Sequence, residues 1–276
     1  ELNRNRNIKN FKSFTPFLDS LSNHSLIFPN AFSTSRKSIH AMPSILAGVP
    51  SFEIAYTSSY YSRQKLESMV SISNAIGYDT SFLHGAKNGS MGFQGFANTL
   101  GYNNYYGRDE FNNDEEYDGF WGIWDEPFLQ FSKSILDNKN EPFLATIFTL
   151  TSHEPYIIPE KFEGIFEEGY LPIHKCVGYT DYSIRQFFKA IEKSSWFENT
   201  IFIFTSDHTN QSYFKYYQGT VNRFATPLLI YKKNSDFKGV DNRLASHLDI
   251  YPTVAELIGY KKPFRSWGRS LLSVKN

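Results

Sequence analysis

The sequence predicts an α/β fold: an α/β/α sandwich around a mostly parallel mixed sheet, with a smaller C-terminal α+β portion. Two observations predict it. Apolar runs of strand length, near Phe143–Leu150, Ile201–Phe204 and Pro227–Tyr231, are interleaved with stretches whose apolar residues recur at helical spacing. No Gly/Ser-rich or Pro-rich linker and no internal repeat divides the 276 residues, so one domain over 1–276 is expected.

Taken in order, Thr15-Pro16-Phe17-Leu18 reads as a helix start, with Thr15 as N-cap and Pro16 at the first helical position. Ser38–Leu46 is a second helix, interrupted by Pro43. Lys65–Ile76 carries Leu66, Met69, Val70 and Ile76 on one face and stops at Gly77. Tyr78–His84 is a strand. Met91–Leu100 is a helix ending at Gly101, Asp109–Tyr117 an acidic loop, and Glu126–Leu136 a helix. The run 142–150 is continuously apolar, as in a strand covered on both faces. Tyr182–Ile191 is an amphipathic helix, 199–205 and 227–231 are buried strands, and Asp249–Ile258 is a last helix stopped by Gly259.

Composition narrows the function. Apolar residues make up 41% and aromatics 17%, enough to exclude disorder, and 28 basic against 28 acidic residues leave no net field to draw a nucleic acid. A single cysteine, Cys176, excludes an internal disulfide and any multi-cysteine zinc site. No apolar run approaches the ~18 residues of a membrane-spanning helix. The abrupt opening at Glu1-Leu2-Asn3-Arg4 leads us to expect an excised fragment, without its upstream segments.

In α/β folds, sites lie at the carboxyl ends of strands. The 199–205 strand runs into Ser206-Asp207-His208-Thr209, where an Asp and a His suit a divalent ion, although a capping Asp and a hydrogen-bonded His would use the same residues. The 142–150 strand runs into Thr151-Ser152-His153-Glu154, and the 78–84 strand ends on His84-Gly85. A histidine there can donate a proton or a hydrogen bond to an oxyanion. Ser38 stands where a helix begins, after Arg36 and Lys37. It reads either as an N-cap or as a nucleophile next to a metal, at a helix end suited to phosphate.

These residues carry a resemblance. Thr15-Pro16-Phe17-Leu18, Lys37-Ser38, Phe82-Leu83-His84-Gly85, Phe148-Thr149-Leu150-Thr151-Ser152-His153, Ser206-Asp207-His208 and Asp249-Ile250-Tyr251-Pro252-Thr253 occur in family order over nearly the whole chain. The chain resembles the extracellular catalytic domain of the lipoteichoic acid synthase/phosphoglycerol transferase group, in the sulfatase-like branch of the alkaline phosphatase superfamily. The resemblance implies Ser38 as nucleophile and metal ligand, and Asp207 and His208 as further ligands of one divalent ion, Mn²⁺ first and Mg²⁺ or Zn²⁺ as alternatives. It implies substrate contacts at His84 and His153, with His153 also the acid for the leaving alkoxide; Arg36 and Lys87 are added as candidate substrate contacts. It implies a phospholipid head-group donor, a glycan or polyol-phosphate acceptor, and a place outside the cytoplasmic membrane, tethered by upstream helices.

The departures are specific. The family's remaining ligand, a Glu on a first strand ahead of the Thr-Pro-Phe helix, has no counterpart here. The Trp and Arg that contact glycerol phosphate correspond to Met91 and Phe93, and an Asp corresponds to Ala86; Lys87 or Asn88 is the expected compensation. Among competing readings, a sulfatase needs a Cys or Ser four residues before Arg36, where Phe32 stands. A phosphoethanolamine transferase would carry several disulfides. A phosphodiesterase or other hydrolase on this fold, or a glycan-binding or sensor domain without catalysis, remains as an alternative.

Overall fold

The computed structural model describes residues 12–273. Helices are α1 (Pro16–Ser22), α2 (Ser38–Ala47), α3 (Met69–Asn74), α4 (Phe93–Leu100), α5 (Arg108–Phe111), α6 (Asp125–Leu136), α7 (Ile173–Ile191) and α8 (Ile250–Leu257). Strands are β1 (Leu26–Ile27), β2 (Ala31–Phe32), β3 (Asp79–His84), β4 (Asn104–Tyr106), β5 (Phe143–Phe148), β6 (Phe202–Thr205), β7 (Leu228–Tyr231), β8 (Gly239–Val240) and β9 (Ala245–Ser246).

Strand alternation builds three layers. In β5 and β6, Leu144, Phe148 and Ile203, with Ile201 just before β6, pack on a core with α2, α3, α4 and α8, while Phe143, Ala145, Ile147, Phe202 and Phe204 pack on a second core with α1, α6 and α7. The sheet between them is mixed. β4-β3-β5 is parallel throughout, β6-β7-β1-β8 joins antiparallel and parallel pairs, and β2 pairs with β9 in parallel. Short C-terminal strands and α8 complete the first core, with Ile250, Tyr251 and Val254 buried in it.

One discontinuity crosses this layer. β5 is paired only with β3, and β6 only with β7. The two strands share both cores, yet no ladder joins them among the described residues. Every residue of both is half-buried, whereas β3 and β7 are almost wholly buried. The expected covering of both faces is therefore present, and the exposure belongs to two open edges.

Local rules hold in part. Thr15 is the N-cap of α1 and Pro16 its first residue, but Thr15 makes no capping bond. The N–H groups of Phe17 and Leu18 donate instead to the two oxygens of Asp181 on α7, at 2.9 and 2.8 Å. α2 runs through Pro43 to Ala47 and ends at Gly48, which takes the left-handed conformation (φ +63). An internal proline costs a helix ~3 kcal/mol. Burial of Met42, Leu46 and Ala47, at up to ~2–3 kcal/mol for a large side chain, outweighs it. α7 starts at Ile173, well before the expected Tyr182. Gly178 and the β-branched Val177 and Thr180 weaken that half locally, and tertiary burial of His174, Cys176, Tyr179 and Asp181 overrides them.

Candidate active site

Ser38 is the first helical residue of α2, not its cap. The N-cap is Lys37, extended at φ −143 and ψ 136, with no side-chain capping bond. The Ser38 hydroxyl is thus free of the usual role of a serine at a helix start. Its Oγ lies 3.4 Å from His208 Nε2. His208 Nδ1 donates to the Thr209 carbonyl at 2.8 Å. A carbonyl only accepts, so Nδ1 carries a proton and the ring turns Nε2 toward Ser38. Asp207 Oδ2 is 3.4 Å from the same Nε2, and its Oδ1 accepts the His208 N–H at 2.8 Å.

Hydroxyl oxygen, carboxylate oxygen and imidazole nitrogen thereby meet around His208 Nε2. Such a donor set fits a hard or borderline divalent cation, and the outer bond from Nδ1 to a carbonyl is what fixes a ligating histidine. Among the described residues no group of three or more His, Cys, Asp or Glu side chains gathers. The face formed here holds three donors, counting the serine.

His247, which the sequence reading passed over, buttresses this face. It is 1% exposed, its Nε2 donates to the Ser206 carbonyl at 2.9 Å, and its Nδ1 accepts from the Thr34 N–H at 3.5 Å. The loop before α2 is thus tied to the turn after β6. Burial pushes the ring down to about 4, so it stays neutral and keeps both bonds. The available signal was the Ser-His-Leu-Asp segment before α8; a lone histidine at a helix start gives no sign that it reaches across 41 residues.

His153 arrives from β5. Asp125, buried at the start of α6, accepts from the Leu150 and Thr151 N–H groups at 2.9 Å each and from the Thr180 hydroxyl at 2.6 Å, locking the chain just before it. His153 Nδ1 donates to the Glu154 carbonyl at 3.1 Å, leaving Nε2 as the open ring nitrogen. The Glu154 carboxylate accepts from the Tyr156 hydroxyl at 3.2 Å, and Asn210 Nδ2 donates to that hydroxyl at 2.8 Å. Arg36 Nη2 donates to the Asn210 carbonyl at 3.2 Å. The loops bearing Ser38, Asp207–His208 and His153 are therefore cross-tied at one edge of the sheet. The Trp121 ring lies against His153, with centroids 4.1 Å apart.

His84 does not join this open face. As the last residue of β3 it is 0% exposed, stacked on Phe148 at 5.1 Å and flanked by Phe93 at 5.2 Å. Its Nδ1 meets the Tyr105 hydroxyl at 3.2 Å and its Nε2 has no partner. The ring is thus enclosed apart from the open face, and the substrate contact expected of it stays a proposal. Phe93, where the resemblance places an arginine, is part of the enclosure. Lys87 is exposed, with no side-chain partner among the described residues. Asn88 Nδ2 is engaged by Glu110 at 3.1 and 3.0 Å, so it is not free to compensate. Cys176 is buried and its thiol is pushed up to about 12 by that burial, so it is no nucleophile.

Burial holds the His84 pKa down to about 4. The unfolded chain binds that proton from pH 6.5 downward and the native chain does not, so stability falls as pH drops from 6.5 toward 4. At pH 5 the loss is about 2 kcal/mol. His84→Phe keeps an aromatic ring in the pocket and removes the titration. Relative to the parent, its unfolding free energy is expected to shift by about +2 kcal/mol between pH 7.5 and pH 5. Urea unfolding at both pH values checks this, and the subtraction cancels His247 and Asp181, which titrate in the same window.

A family model described as Sulfatase matches residues 3–260. Lipoteichoic acid synthase 1 of Bacillus subtilis (strain 168) is 23% identical over 295 residues, covering 96% of this chain and 45% of its own length. Lipoteichoic acid synthase of Staphylococcus aureus (strain USA300) is 23% identical over 303 residues, covering 96% and 44%. Among solved structures, a protein of the alkaline phosphatase superfamily from Vibrio parahaemolyticus superposes with a TM-score of 0.85 at 25% identity, over 95% of this chain and 65% of its own. The lipoteichoic acid synthase LtaP from Listeria monocytogenes gives 0.79 at 22% identity, over 90% and 67%. The chain spans less than half the length of the curated relatives it matches.

Proposed function

Because this chain belongs to the sulfatase family, whose members are phosphotransferases and hydrolases of the alkaline phosphatase superfamily that use divalent metals, we propose that it moves a phosphoglycerol-type group from a phospholipid donor to an acceptor hydroxyl through a covalent Ser38 intermediate. The observation that carries this reading is the Ser38 hydroxyl, uncommitted to capping and facing His208 Nε2 at 3.4 Å beside Asp207.

Ser38 Oγ attacks the donor phosphorus and gives its proton to solvent water. The bond from phosphorus to the lipid alkoxide breaks, and His153 Nε2 delivers a proton to that oxygen. His153 Nε2, now unprotonated, takes the proton of an acceptor hydroxyl, from a glycan or polyol phosphate, as that oxygen attacks the Ser38 phosphodiester; the bond from phosphorus to Ser38 Oγ breaks and Oγ regains a proton from solvent. Ser38, Asp207 and His208 would hold the cation, Mn²⁺ in our reading, whose charge would lower the hydroxyl pKa and offset that of the phosphoryl oxygens. Arg36, pinned at the rim by Asn210, and the exposed Lys87 would add positive charge at the entrance.

The open, facing edges of β5 and β6 support a further part of this reading. Their side chains share both cores across a break in the sheet. A single strand from outside the described residues would close it. Such a strand would end near Asp207, where the resemblance expects the remaining Glu ligand. In the same reading the whole protein is tethered by membrane helices with this domain on the extracytoplasmic side. Among the described residues no helix is long and apolar enough to cross a membrane.

The test incubates the full-length protein with phosphatidylglycerol and Mn²⁺ and searches for a phosphoglycerol adduct on the peptide containing Ser38 by mass spectrometry. Product formation without an adduct in rapid-quench samples would replace the covalent route by direct attack of water or acceptor. His153→Ala is expected to keep bound metal and slow turnover by about 10²-fold, the scale of a lost general acid. Steady-state rates with metal content measured on the same sample check it.

A further inference from the structure

The loop that carries Trp121 is built more firmly than an exposed tip requires. Asp118 Oδ1 accepts from three successive N–H groups, those of Phe120, Trp121 and Gly122, at 2.8, 2.8 and 3.0 Å. The Asp118 N–H donates back to the Gly122 carbonyl at 2.9 Å, and the Tyr117 hydroxyl to the Phe120 carbonyl at 3.0 Å. Gly122 is clamped on the ends of β3 and β5. A Cβ there would stand 2.5 Å from the Leu150 side chain and 2.8 Å from the Gly85 carbonyl, so no other residue fits without a shift. The Ile123 N–H closes the clamp on the Gly85 carbonyl at 2.9 Å.

This rigid tip holds two large aromatic side chains in solvent. Phe120 is 62% and Trp121 39% exposed. Trp121 lays part of its ring on His153, tilted by 43°, and leaves the rest open. His153 is in turn tied through Glu154, Tyr156 and Asn210 to the turn that carries Asp207 and His208. An apolar aromatic surface fixed next to an imidazole suits a ligand with an anionic phosphate at one end and a carbon chain at the other.

The geometry points to Trp121 as a specificity-determining residue that packs against the carbon skeleton of the alcohol esterified to the phosphate, a short polyol of the glycerol type. This rests on the reading of the site given above. Trp121 itself donates and accepts no proton in the reaction. It supplies contact area to the carbon skeleton.

Isothermal titration of the full-length protein with sn-glycerol 1-phosphate, phosphoethanolamine and inorganic phosphate tests this in the parent, Trp121→Ala and Trp121→Phe. Trp121→Ala is expected to weaken glycerol phosphate by about tenfold, the scale of one aromatic contact, and to leave inorganic phosphate unchanged. Trp121→Phe is expected to recover most of the loss. An equal loss for glycerol phosphate and inorganic phosphate, or no loss for either, would overturn the assignment, as would a parent protein that binds no phospho-alcohol more tightly than inorganic phosphate. A parent that prefers phosphoethanolamine and loses that preference in Trp121→Ala would overturn glycerol as the transferred alcohol while upholding Trp121.

Discussion

Ser38→Ala is expected to reduce turnover by at least ~10³-fold and to leave the protein folded. The loss is large because a covalent route has no substitute once its nucleophile is gone. The fold survives because little rests on this hydroxyl. It caps no helix, its recorded contact is the 3.4 Å approach to His208, and alanine is the better helix former at that position. Thermal unfolding of the variant should stay within a few degrees of the parent, which corresponds to about 1 kcal/mol. The adduct on the Ser38 peptide should vanish with the activity. A variant that turns over at the parental rate would remove Ser38 from the mechanism. A variant that unfolds would show that the hydroxyl holds the turn after β6, and Ser38→Thr, which keeps a hydroxyl, would then decide whether chemistry follows that group.

How much of this was legible depends on the range of the interactions. Strands 143–148 and 202–205 were plain, because a continuous apolar run of strand length has few other uses. The start of α1 at Pro16 was plain too, since proline fixes its own backbone, but its real cap, Asp181, lies 163 and 164 residues away from the N–H groups it satisfies. Two-residue strands such as β1 and β2 carry no period to detect and exist through distant partners, β7 and 239–240 for β1 and 245–246 for β2. Within the site, Ser38, Asp207 and His208 were visible as residues that leave strands or begin helices. Their supports were not. His247 and Asn210 each act through two bonds to loops distant in sequence, and Trp121 sits against His153 on a loop that Gly122 lets pack on Gly85. His84 shows the opposite case. A His-Gly step at a strand end looks like a site, and only the side chains of Phe93 and Phe148 around it show that this one is closed.

Asp207→Ala is expected to lose both bound metal and turnover. Asp207 is the one formally charged member of the three-donor face. Its removal leaves a hydroxyl and an imidazole, neither of which brings negative charge, and which together hold a divalent cation poorly. The drop in affinity should exceed the about 10–100-fold that outer hydrogen-bond partners contribute, because a direct ligand is deleted. The same change strips the His208 N–H of its 2.8 Å acceptor, so a loss of activity in the alanine variant alone could be a displaced backbone. Asp207→Asn separates the two effects. Its side-chain carbonyl can still accept from the His208 N–H, while the charge is gone. The expected result is a variant that unfolds at the parental temperature yet, after dialysis against micromolar Mn²⁺, carries little metal by inductively coupled plasma mass spectrometry and shows at most ~1% of parental turnover. Retention of metal and activity in Asp207→Asn would reduce Asp207 to a backbone acceptor. The cation would then have to be held by Ser38 and His208 with ligands from elsewhere, and the gap between β5 and β6 would be the first place to look for them.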